Sequence, residues 1–372
     1  MKPELFIGML SGTSIDAVDC VLASFDNKIP TVHDFRSFAI PQHVKNLLSQ
    51  LIRNESLDLK TLGSTDILVG KLFADSALSM MKAHNLTPED IIAIGSHGQT
   101  IWHQPVADEN ESRFTIQIGD PNTIAHHTGV TTVADFRRHD MAAGGQGAPL
   151  APAFHQAVLG STSIPRIVLN LGGIANITVL SPGSGSPFGY DTGPANTLLD
   201  QWIRLSNAKE FDDNGSWALS GTPNTELLEL LLNEPYFLLL HPKSTGRELF
   251  NLSWLQTKLE KLTGVCKPED VQATLLELSI LTISKQIKAH LLQGEILVCG
   301  GGIHNQALMT GLRNQLPDFR ILSTQQYGLN PDCVEAVAFA WFSKQTMQGL
   351  PIDFTPFTGA SKPVIAGGIY RV

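Results

Sequence analysis

The sequence predicts an α/β protein built from two related domains. Residues 6–22 read as a buried strand, a small hydroxyl-rich turn and a returning strand, and residues 166–180 repeat this order around a glycine turn. One copy lies near the start of each half of the chain. At 372 residues the chain also exceeds a typical single domain, so two domains are the natural expectation.

The composition excludes several classes of protein. Hydrophobic residues make up 42% of the chain, which is enough for a sizeable core. The net charge of −9 argues against binding to nucleic acid or to an anionic membrane, where basic patches supply the affinity. The four cysteines are scattered without a C-x-x-C motif, and neither a signal-peptide pattern nor an apolar run long enough to cross a bilayer occurs. We therefore expect a cytoplasmic protein with reduced thiols.

The first turn, Ser11–Ser14, has the composition of an anion site. Gly12 allows a positive φ and a close approach of backbone to ligand, and successive N–H groups in such a turn point the same way. Asp16 and Asp19 follow, and near a polyphosphate two carboxylates make sense mainly through a bridging Mg²⁺. An ordinary β-hairpin with a polar tip is the alternative for this stretch taken alone.

The rest of the first half alternates strands with helical periodicity, and polar or glycine residues follow the strand ends, where open α/β sheets bind ligands. We predict strands at 31–40, 91–94, 114–118 and 130–134 and helices at 41–52 and 62–84. The glycine-rich loop 141–148 suits a boundary. The predicted domains are 1–140, with the tail 360–372 able to return to it as a strand, and 141–359.

The second half repeats the order. After its hairpin, residues 190–196 are predicted to open a helix, and further helices are predicted at 225–232, 253–263, 268–292, 305–316 and 334–347. A strand at 296–299 ends in Gly300, Gly301 and Gly302, against which a flat ring or a ribose could lie. Neither P-loop nor Rossmann spacing occurs.

Seven motifs in the same order across nearly the whole chain resemble those of anhydro-N-acetylmuramic acid kinases. They read MLSGTSIDAVD, GSHGQTIWH, ADFRRHDMAAGGQGAPL, NLGGIAN, DTGPAN, STGRELFN and VCGGGIHN. The resemblance implies two related domains of the actin-like, sugar-kinase-like (ribonuclease H-like) type with a central cleft. It also implies a homodimer and an ATP- and Mg²⁺-dependent kinase. That kinase opens 1,6-anhydro-N-acetylmuramic acid with water and phosphorylates O6 in the recycling of cell-wall sugar, giving N-acetylmuramic acid 6-phosphate and ADP.

The resemblance also assigns roles to residues. Asp191 matches the family's catalytic aspartate, a general base for water, and Glu335 matches a position near the sugar. Asp191 could instead be a helix N-cap, and Glu335 could be a first-turn acid that complements the helix dipole. The expected nucleotide-binding residues are Gly12, Thr13, Ser14, Ile15, Asp16, Ala17, Val18, Asp19, Gly172, Gly173, Asn176, Gly300, Gly301 and Gly302. The expected sugar-binding residues are Thr100, Arg138, Gln146, Asp191 and Glu335, and Asp16 and Asp19 are the expected Mg²⁺ ligands.

Two rival functions fit parts of this pattern. An ordinary sugar-hydroxyl kinase would use Asp191 to deprotonate a hydroxyl, and an ATP-driven binding or chaperone module would need no sugar. Many members of the wider superfamily carry an acid before each glycine turn, whereas this chain has Met9-Leu10-Ser11 and Leu169-Asn170-Leu171 there. That departure argues against the chaperone-like alternative. The six histidines between positions 97 and 155 lack a consistent ligand spacing, so we expect hydrogen-bonded histidines rather than a metal site.

Overall fold

The computed structural model describes residues 3–12, 15–53, 58–106, 111–180, 182 and 186–372. The strands are β1 (Leu5–Ser11), β2 (Ala17–Ser24), β3 (Thr31–Ala39), β4 (Ile91–Gln104), β5 (Phe114–Ile118), β6 (Thr132–Ala134), β7 (Arg166–Leu171), β8 (Ile174–Leu180), β9 (Phe188–Pro194), β10 (Gly294–Cys299), β11 (Phe319–Ser323) and β12 (Gly368–Tyr370). The helices are α1 (Gln42–Arg53), α2 (Leu59–Ala83), α3 (Pro121–Thr128), α4 (Phe136–Ala142), α5 (Ala151–Leu159), α6 (Asn196–Asn207), α7 (Thr225–Leu232), α8 (Leu252–Leu259), α9 (Pro268–His290), α10 (Gln306–Gln315), α11 (Val334–Met347) and α12 (Thr355–Thr358).

The two sheets share the topology of a five-strand core. The order of the first is β12-β6-β4-β1-β2-β3, with β5 paired to β4, and the order of the second is β11-β10-β7-β8-β9. In each, the first three strands in sequence form an antiparallel meander, and the next core strand adds parallel to the first of them. The repeat read from the two glycine turns is therefore a repeat of structure. The predicted fold class, an α/β protein of two related domains, is confirmed.

The chain divides into two compact units, Met1–Leu159 with Tyr327–Val372, and Gly160–Gln326. We call these the first unit and the second unit. This division differs from the predicted boundary, which assigned residues 141–159 and 327–359 to the second domain. The reason is long-range packing: α11 lies on β1 and β4, and Phe154 of α5 contacts Trp341 of α11 with ring centroids 5.9 Å apart. The tail forms β12, which pairs with β6 of the first unit.

The contact of α11 with the first sheet depends on two glycines. Gly8 and Gly95 are paired across β1 and β4. A Cβ on Gly8 would lie 2.0 Å from the Ala336 carbonyl oxygen, and a Cβ on Gly95 would lie 2.1 Å from the Phe339 carbonyl oxygen. Because side chains alternate along a strand, Ile7 and Met9 point to the other face. There they join a buried cluster that contains residues of α1 and α2. The first sheet is thus covered on both faces.

The second unit has its own core. Apolar residues of β7, β8 and β10 form a buried cluster with residues of α6, α7, α9 and α10. The 23-residue helix α9 is buried along most of its length, so its hydrophobic residues are not confined to one stripe. Within the part of the chain that the structure describes, no helix combines the length and the apolar character needed to cross a membrane.

Candidate active site

Asp191 lies in the middle of β9, and a second segment of the chain holds it. Its Oδ2 accepts hydrogen bonds from the Thr245 backbone N–H at 3.0 Å and from the Ser244 hydroxyl at 3.1 Å. Its carbonyl oxygen accepts a hydrogen bond from the Tyr236 hydroxyl at 2.7 Å. Among the described residues, Oδ1 has no hydrogen-bond partner. The carboxylate is therefore oriented through one oxygen, while the other is available to a ligand.

Burial raises the pKa of the Asp191 carboxyl to about 6, against the hydrogen bonds from Thr245 and Ser244, which lower it. The nearby Glu248 carboxylate adds a smaller upward contribution to this pKa. A carboxyl group with a pKa near 6 is ionised at neutral pH and is a stronger base than an ordinary aspartate. The arrangement can therefore accept a proton from a bound water or hydroxyl group.

The alternative that Asp191 caps a helix is wrong. The helix α6 begins at Asn196 with Ala195 as its N-cap, so Asp191 lies in the strand before it. The first N–H groups of α6 are satisfied instead by the glycine turn. Ala195 and Thr197 donate to the Gly173 carbonyl, and Asn196 donates to the Gly172 carbonyl. Gly172 and Gly173 thus link the end of β7 to the start of α6 as well as forming the predicted turn.

A row of polar side chains crosses the second sheet beside this turn. Asn170 of β7 pairs with Asn176 of β8, and Asn176 pairs with Asp191 of β9. Residues directly opposite one another on neighbouring strands project from the same face. The structure thus brings together two predicted residues, Asn176 and Asp191, and adds Asn170. Sequence reasoning noted Asn170 only as a departure from an acidic residue, although its polar side chain in an apolar strand was the available signal.

The three glycines after β10 are not equivalent. Gly300 has φ 82°, and a Cβ there would lie 2.3 Å from Asn170 Oδ1. A Cβ on Gly302 would lie 2.7 Å from the Leu171 Cβ, whereas one on Gly301 would meet nothing within 4 Å. Gly300 and Gly302 are required by packing against the end of β7, and Gly301 is the one with open space beside it.

In the first unit, the turn that begins at Gly12 closes with a hydrogen bond from the Ile15 N–H to the Gly12 carbonyl at 3.1 Å. Ile15 has φ 59°, a left-handed conformation that is unfavourable for a β-branched residue. Thr13 and Ser14, two of the predicted phosphate ligands, lie outside the described residues. Next to the turn, the Ser11 hydroxyl is buried and has no hydrogen-bond partner among the described residues. Strain and an unsatisfied hydroxyl at one turn are typical of a ligand site.

The residues after the turn lie in or next to β2. Ala17 and Val18 begin the strand, and Asp16 is exposed, with Lys45 Nζ 3.7 Å from its Oδ1. The Asp19 carboxylate accepts a hydrogen bond from the Ser37 hydroxyl. Burial raises the pKa of Asp19, the Ser37 bond lowers it, and the charge of Asp332 raises it. A cation beside Asp19 would offset the burial and the charge of Asp332 that disfavour its ionised form.

No cluster of three or more His, Cys, Asp or Glu residues that could hold a metal occurs in the described ranges. The histidines His97 and His103 take part in hydrogen bonds instead. His97 Nδ1 contacts the Gly98 carbonyl at 3.0 Å, and His103 Nδ1 contacts Thr115 Oγ1 at 3.1 Å. Burial lowers the pKa of His103 to about 4, with a further contribution from the positive charge of Arg137.

Of the adjacent arginines, Arg137 holds the enclosed position. It donates to His97 Nε2 and to the Gly147 carbonyl, each at 2.8 Å. Burial lowers its pKa to about 10, and the charge of Glu335, in the first turn of α11, is the largest influence in the opposite direction. The Arg138 side chain is 56% exposed, and its Nε lies 3.6 Å from Asp135 Oδ1. The sequence predicts Arg138 as the sugar-binding residue, but a local pattern does not show which of two adjacent arginines is turned inwards.

The other predicted sugar-binding residues of the first unit lie in β4 and in the glycine-rich loop. Thr100 Oγ1 accepts a hydrogen bond from Gln117 Nε2 at 3.1 Å, and Gln117 Oε1 is buried without a partner among the described residues. The Gln146 N–H donates to the Thr358 carbonyl at 2.9 Å. The buried Asp140 carboxylate accepts bonds from the Gly147 N–H and the Thr358 hydroxyl, each at 2.7 Å. The loop is therefore fixed inside the first unit and is not a boundary between the units.

Comparison with known proteins bears on the whole chain. The family model described as anhydro-N-acetylmuramic acid kinase matches residues 4–372. The anhydro-N-acetylmuramic acid kinase of Pasteurella multocida (strain Pm70) is 48% identical over 368 residues, which cover 98% of this chain and 96% of the relative. That of Saccharophagus degradans (strain 2-40) is 45% identical over 370 residues, with 100% of both chains covered.

Solved structures resemble the chain more weakly. The activator of 2-hydroxyisocaproyl-CoA dehydratase from Clostridium difficile, solved with bound ADPNP, has 11% sequence identity and a TM-score of 0.46, with 93% of this chain and 96% of that chain covered. A likeness of this size carries no inference about function.

Proposed function

The chain belongs to the anhydro-N-acetylmuramic acid kinase family, and from this premise we propose the reaction and the residues that carry it out. The protein is an enzyme, a kinase of anhydro-N-acetylmuramic acid. It uses ATP and water to open the 1,6-anhydro bridge and to place the phosphoryl group on O6. The products are N-acetylmuramic acid 6-phosphate and ADP, and the role is recycling of peptidoglycan sugar.

Asp191 is the general base of this reaction. The free Oδ1 accepts a proton from water as the water oxygen bonds to the anomeric carbon, and the bond from that carbon to the bridge oxygen breaks. The released O6 then accepts the γ-phosphoryl group. The observation that supports this role is the orientation of the carboxylate through Oδ2 alone, together with a pKa near 6. An ordinary sugar-hydroxyl kinase is disfavoured, because an anhydro sugar has no free 6-hydroxyl.

The nucleotide contacts are proposed for each unit separately. In the first unit, the buried Ser11 hydroxyl beside the turn at Gly12, which has no partner among the described residues, donates to a phosphate oxygen. In the second unit, the open space beside Gly301 suits the flat adenosine moiety. Mg²⁺ would neutralise phosphate charge, and Asp19 is the carboxylate best suited to assist. The roles expected for Thr100, Arg138, Gln146 and Glu335 in sugar binding stay proposals for the first unit.

Location and assembly are also proposed. A cytoplasmic home is supported by four cysteines that are all free thiols, three of them buried. A homodimer is supported by the family resemblance alone. Light scattering of the purified protein tests the assembly, and a mass that corresponds to one chain would contradict it.

The decisive experiment combines labelled water with one substitution. In H₂¹⁸O, the wild-type product should carry ¹⁸O at C1 and none in the phosphate ester. The product is quenched early, and N-acetylmuramic acid kept in H₂¹⁸O for the same time measures spontaneous exchange at C1. Asp191→Asn preserves the shape of the side chain but removes the basic oxygen, so turnover should fall by about a hundredfold or more, the usual size of a general-base contribution.

The matched control is Asp318→Asn, the same change at an exposed position of the second unit, which should keep wild-type turnover. Label in the transferred phosphate, or near-normal turnover by Asp191→Asn, would remove Asp191 from the proposed role.

A further inference from the structure

The residues that hold Asp191 belong to a short segment without regular secondary structure. Ser244 and Thr245 bind its Oδ2, and the Asp191 N–H faces the Lys243 carbonyl at 3.4 Å. These three residues form neither a helix nor a strand, so no hydrogen-bonded ladder fixes their backbone. Contacts beyond this one backbone hydrogen bond therefore help to set the position of the two donors on which the orientation of the carboxylate depends.

The Lys243 side chain is the anchor of this segment. Although it carries an ammonium group, the residue is only 8% exposed. Its Nζ donates to the Tyr236 carbonyl at 3.3 Å and lies 4.8 Å from the centroid of the Tyr236 ring and 5.6 Å from that of Tyr190. Within the described residues, no carboxylate lies within ion-pair distance of it. The cation is held by two aromatic faces and a carbonyl oxygen.

Both rings under this cation are tied to the base. The Tyr236 hydroxyl donates to the Asp191 carbonyl, and Tyr190 precedes Asp191 in β9. Lys243 thus joins the segment that supplies the Oδ2 donors to the two tyrosines that fix the Asp191 backbone. A lysine that only stabilised the fold would be a poor choice here, because removing an ammonium group from water without a counter-ion is unfavourable.

We propose that Lys243 is a positioning residue for the reaction. Its ammonium group holds residues 243–245 so that Ser244 and Thr245 fix Asp191 Oδ2 and leave Oδ1 for the attacking water. This inference rests on the proposed role of Asp191 as the base. Two other charged groups face this region. The Glu248 carboxylate raises the pKa of Asp191. The pKa of Lys243 is lowered mainly by its own burial and further by the positive charge of Lys285.

The test replaces Lys243 with methionine, which has a similar length and no charge. In Lys243→Met, kcat should fall by about tenfold to a hundredfold, the usual result of a small misplacement of a catalytic group. The KM for ATP should not change. The acid limb of the kcat/KM profile should move to higher pH, because Asp191 loses fixed donors that favour its ionised form. The matched control, Lys209→Met at an exposed position of the second unit, should leave both kcat and the pH profile unchanged.

A double-mutant cycle with Ser244→Ala tests whether Lys243 acts through these donors. The effects on kcat should be less than additive, because the second change removes a donor that the first has already displaced. Ser244 is exposed, so Ser244→Ala should fold even if Lys243→Met does not. This single substitution should lower kcat and shift the acid limb of the kcat/KM profile to higher pH.

Wild-type kcat and acid limb in folded Lys243→Met would overturn the positioning role, whatever its melting temperature. Should Lys243→Met not fold, a wild-type kcat and acid limb in Ser244→Ala would overturn the inference. Either result leaves the proposed role of Asp191 intact, because that role is tested separately by turnover of Asp191→Asn and by the position of the label from H₂¹⁸O.

Discussion

At the scale of single residues, the site is built around one carboxylate, Asp191, that folding removes from water. Burial disfavours the charge of Asp191, and two donors to Oδ2 offset only part of that effect. The result is a pKa of about 6, close to the value that serves a general base at neutral pH. The same burial should make the ionised side chain a source of instability.

Asp191→Asn should therefore stabilise the protein at neutral pH. The pKa of Asp191 is about 6 in the folded state and near 3.8 when unfolded, so the folded state binds the proton more tightly. Stability should fall as the pH rises from 3.8 to 6, and the ionised group then destabilises the fold by on the order of 3 kcal/mol. The asparagine variant should melt at a higher temperature than the wild type at pH 7.5.

Scanning calorimetry at pH 7.5 and at pH 4 measures this difference, which should shrink at the lower pH, where the wild-type carboxyl is protonated. Asp318→Asn is the control, and its melting temperature should follow that of the wild type at both values. A lower melting temperature for Asp191→Asn at pH 7.5 would mean that the Oδ2 hydrogen bonds outweigh burial.

Substitutions of the glycines after β10 should distinguish a role in nucleotide binding from a role in packing. Gly301→Val should weaken ATP binding several-fold without lowering the melting temperature, because a side chain there enters open space. Gly300→Ala should lower the melting temperature, because Gly300 has φ 82° and its Cβ would overlap Asn170. Calorimetric titration with ATP and thermal melts distinguish the two substitutions. Unchanged ATP affinity in folded Gly301→Val would contradict the proposed adenosine site beside Gly301.

At the scale of elements, the first unit depends on the close approach of α11 to the first sheet. The helix lies directly on the backbone of β1 and β4, because Gly8 and Gly95 present no side chain to it. The same helix carries Glu335 in its first turn. The two glycines therefore set the depth at which α11 lies and, through it, the position of that carboxylate near Arg137.

Gly8→Ala should destabilise the protein by about 3 kcal/mol or more, because the new methyl group would lie 2.0 Å from the Ala336 carbonyl oxygen. The matched control is Gly63→Ala in α2, where a Cβ meets nothing within 4 Å. That change should stabilise the helix by about 1 kcal/mol. Chemical denaturation measures both, and equal effects of the two substitutions would contradict the described contact of α11.

At the scale of the whole molecule, the two units differ in how the chain builds them. The second unit is one continuous segment, whereas the first unit is interrupted and completed by residues 327–372. Each unit has a sheet with the same five-strand core order, to which the first unit adds β5 and β12, and a hydrophobic core of its own. A continuous segment that contains a whole core has what it needs to fold alone. Residues 1–159 do not, because residues 327–372 complete the first unit.

The fragment of residues 160–326 should fold independently and unfold in one cooperative transition. The fragment of residues 1–159 lacks α11, so the glycine face of its sheet would be exposed, and it should not fold. Circular dichroism during heating measures both. A cooperative transition in the fragment 1–159 would show that α11 is dispensable for the first unit.

What the sequence alone determined was local. Apolar periodicity and glycine turns identified both strand–turn–strand repeats, because alternating side chains and turn residues act over a few positions. The DTGPAN motif marked Asp191. Only the tertiary structure decided that α11 belongs to the first unit, that Arg137 rather than Arg138 is enclosed, and that Lys243 is buried. Each of these depends on segments far apart in the chain that meet in the fold, and local patterns contain no information about which side chains those contacts cover.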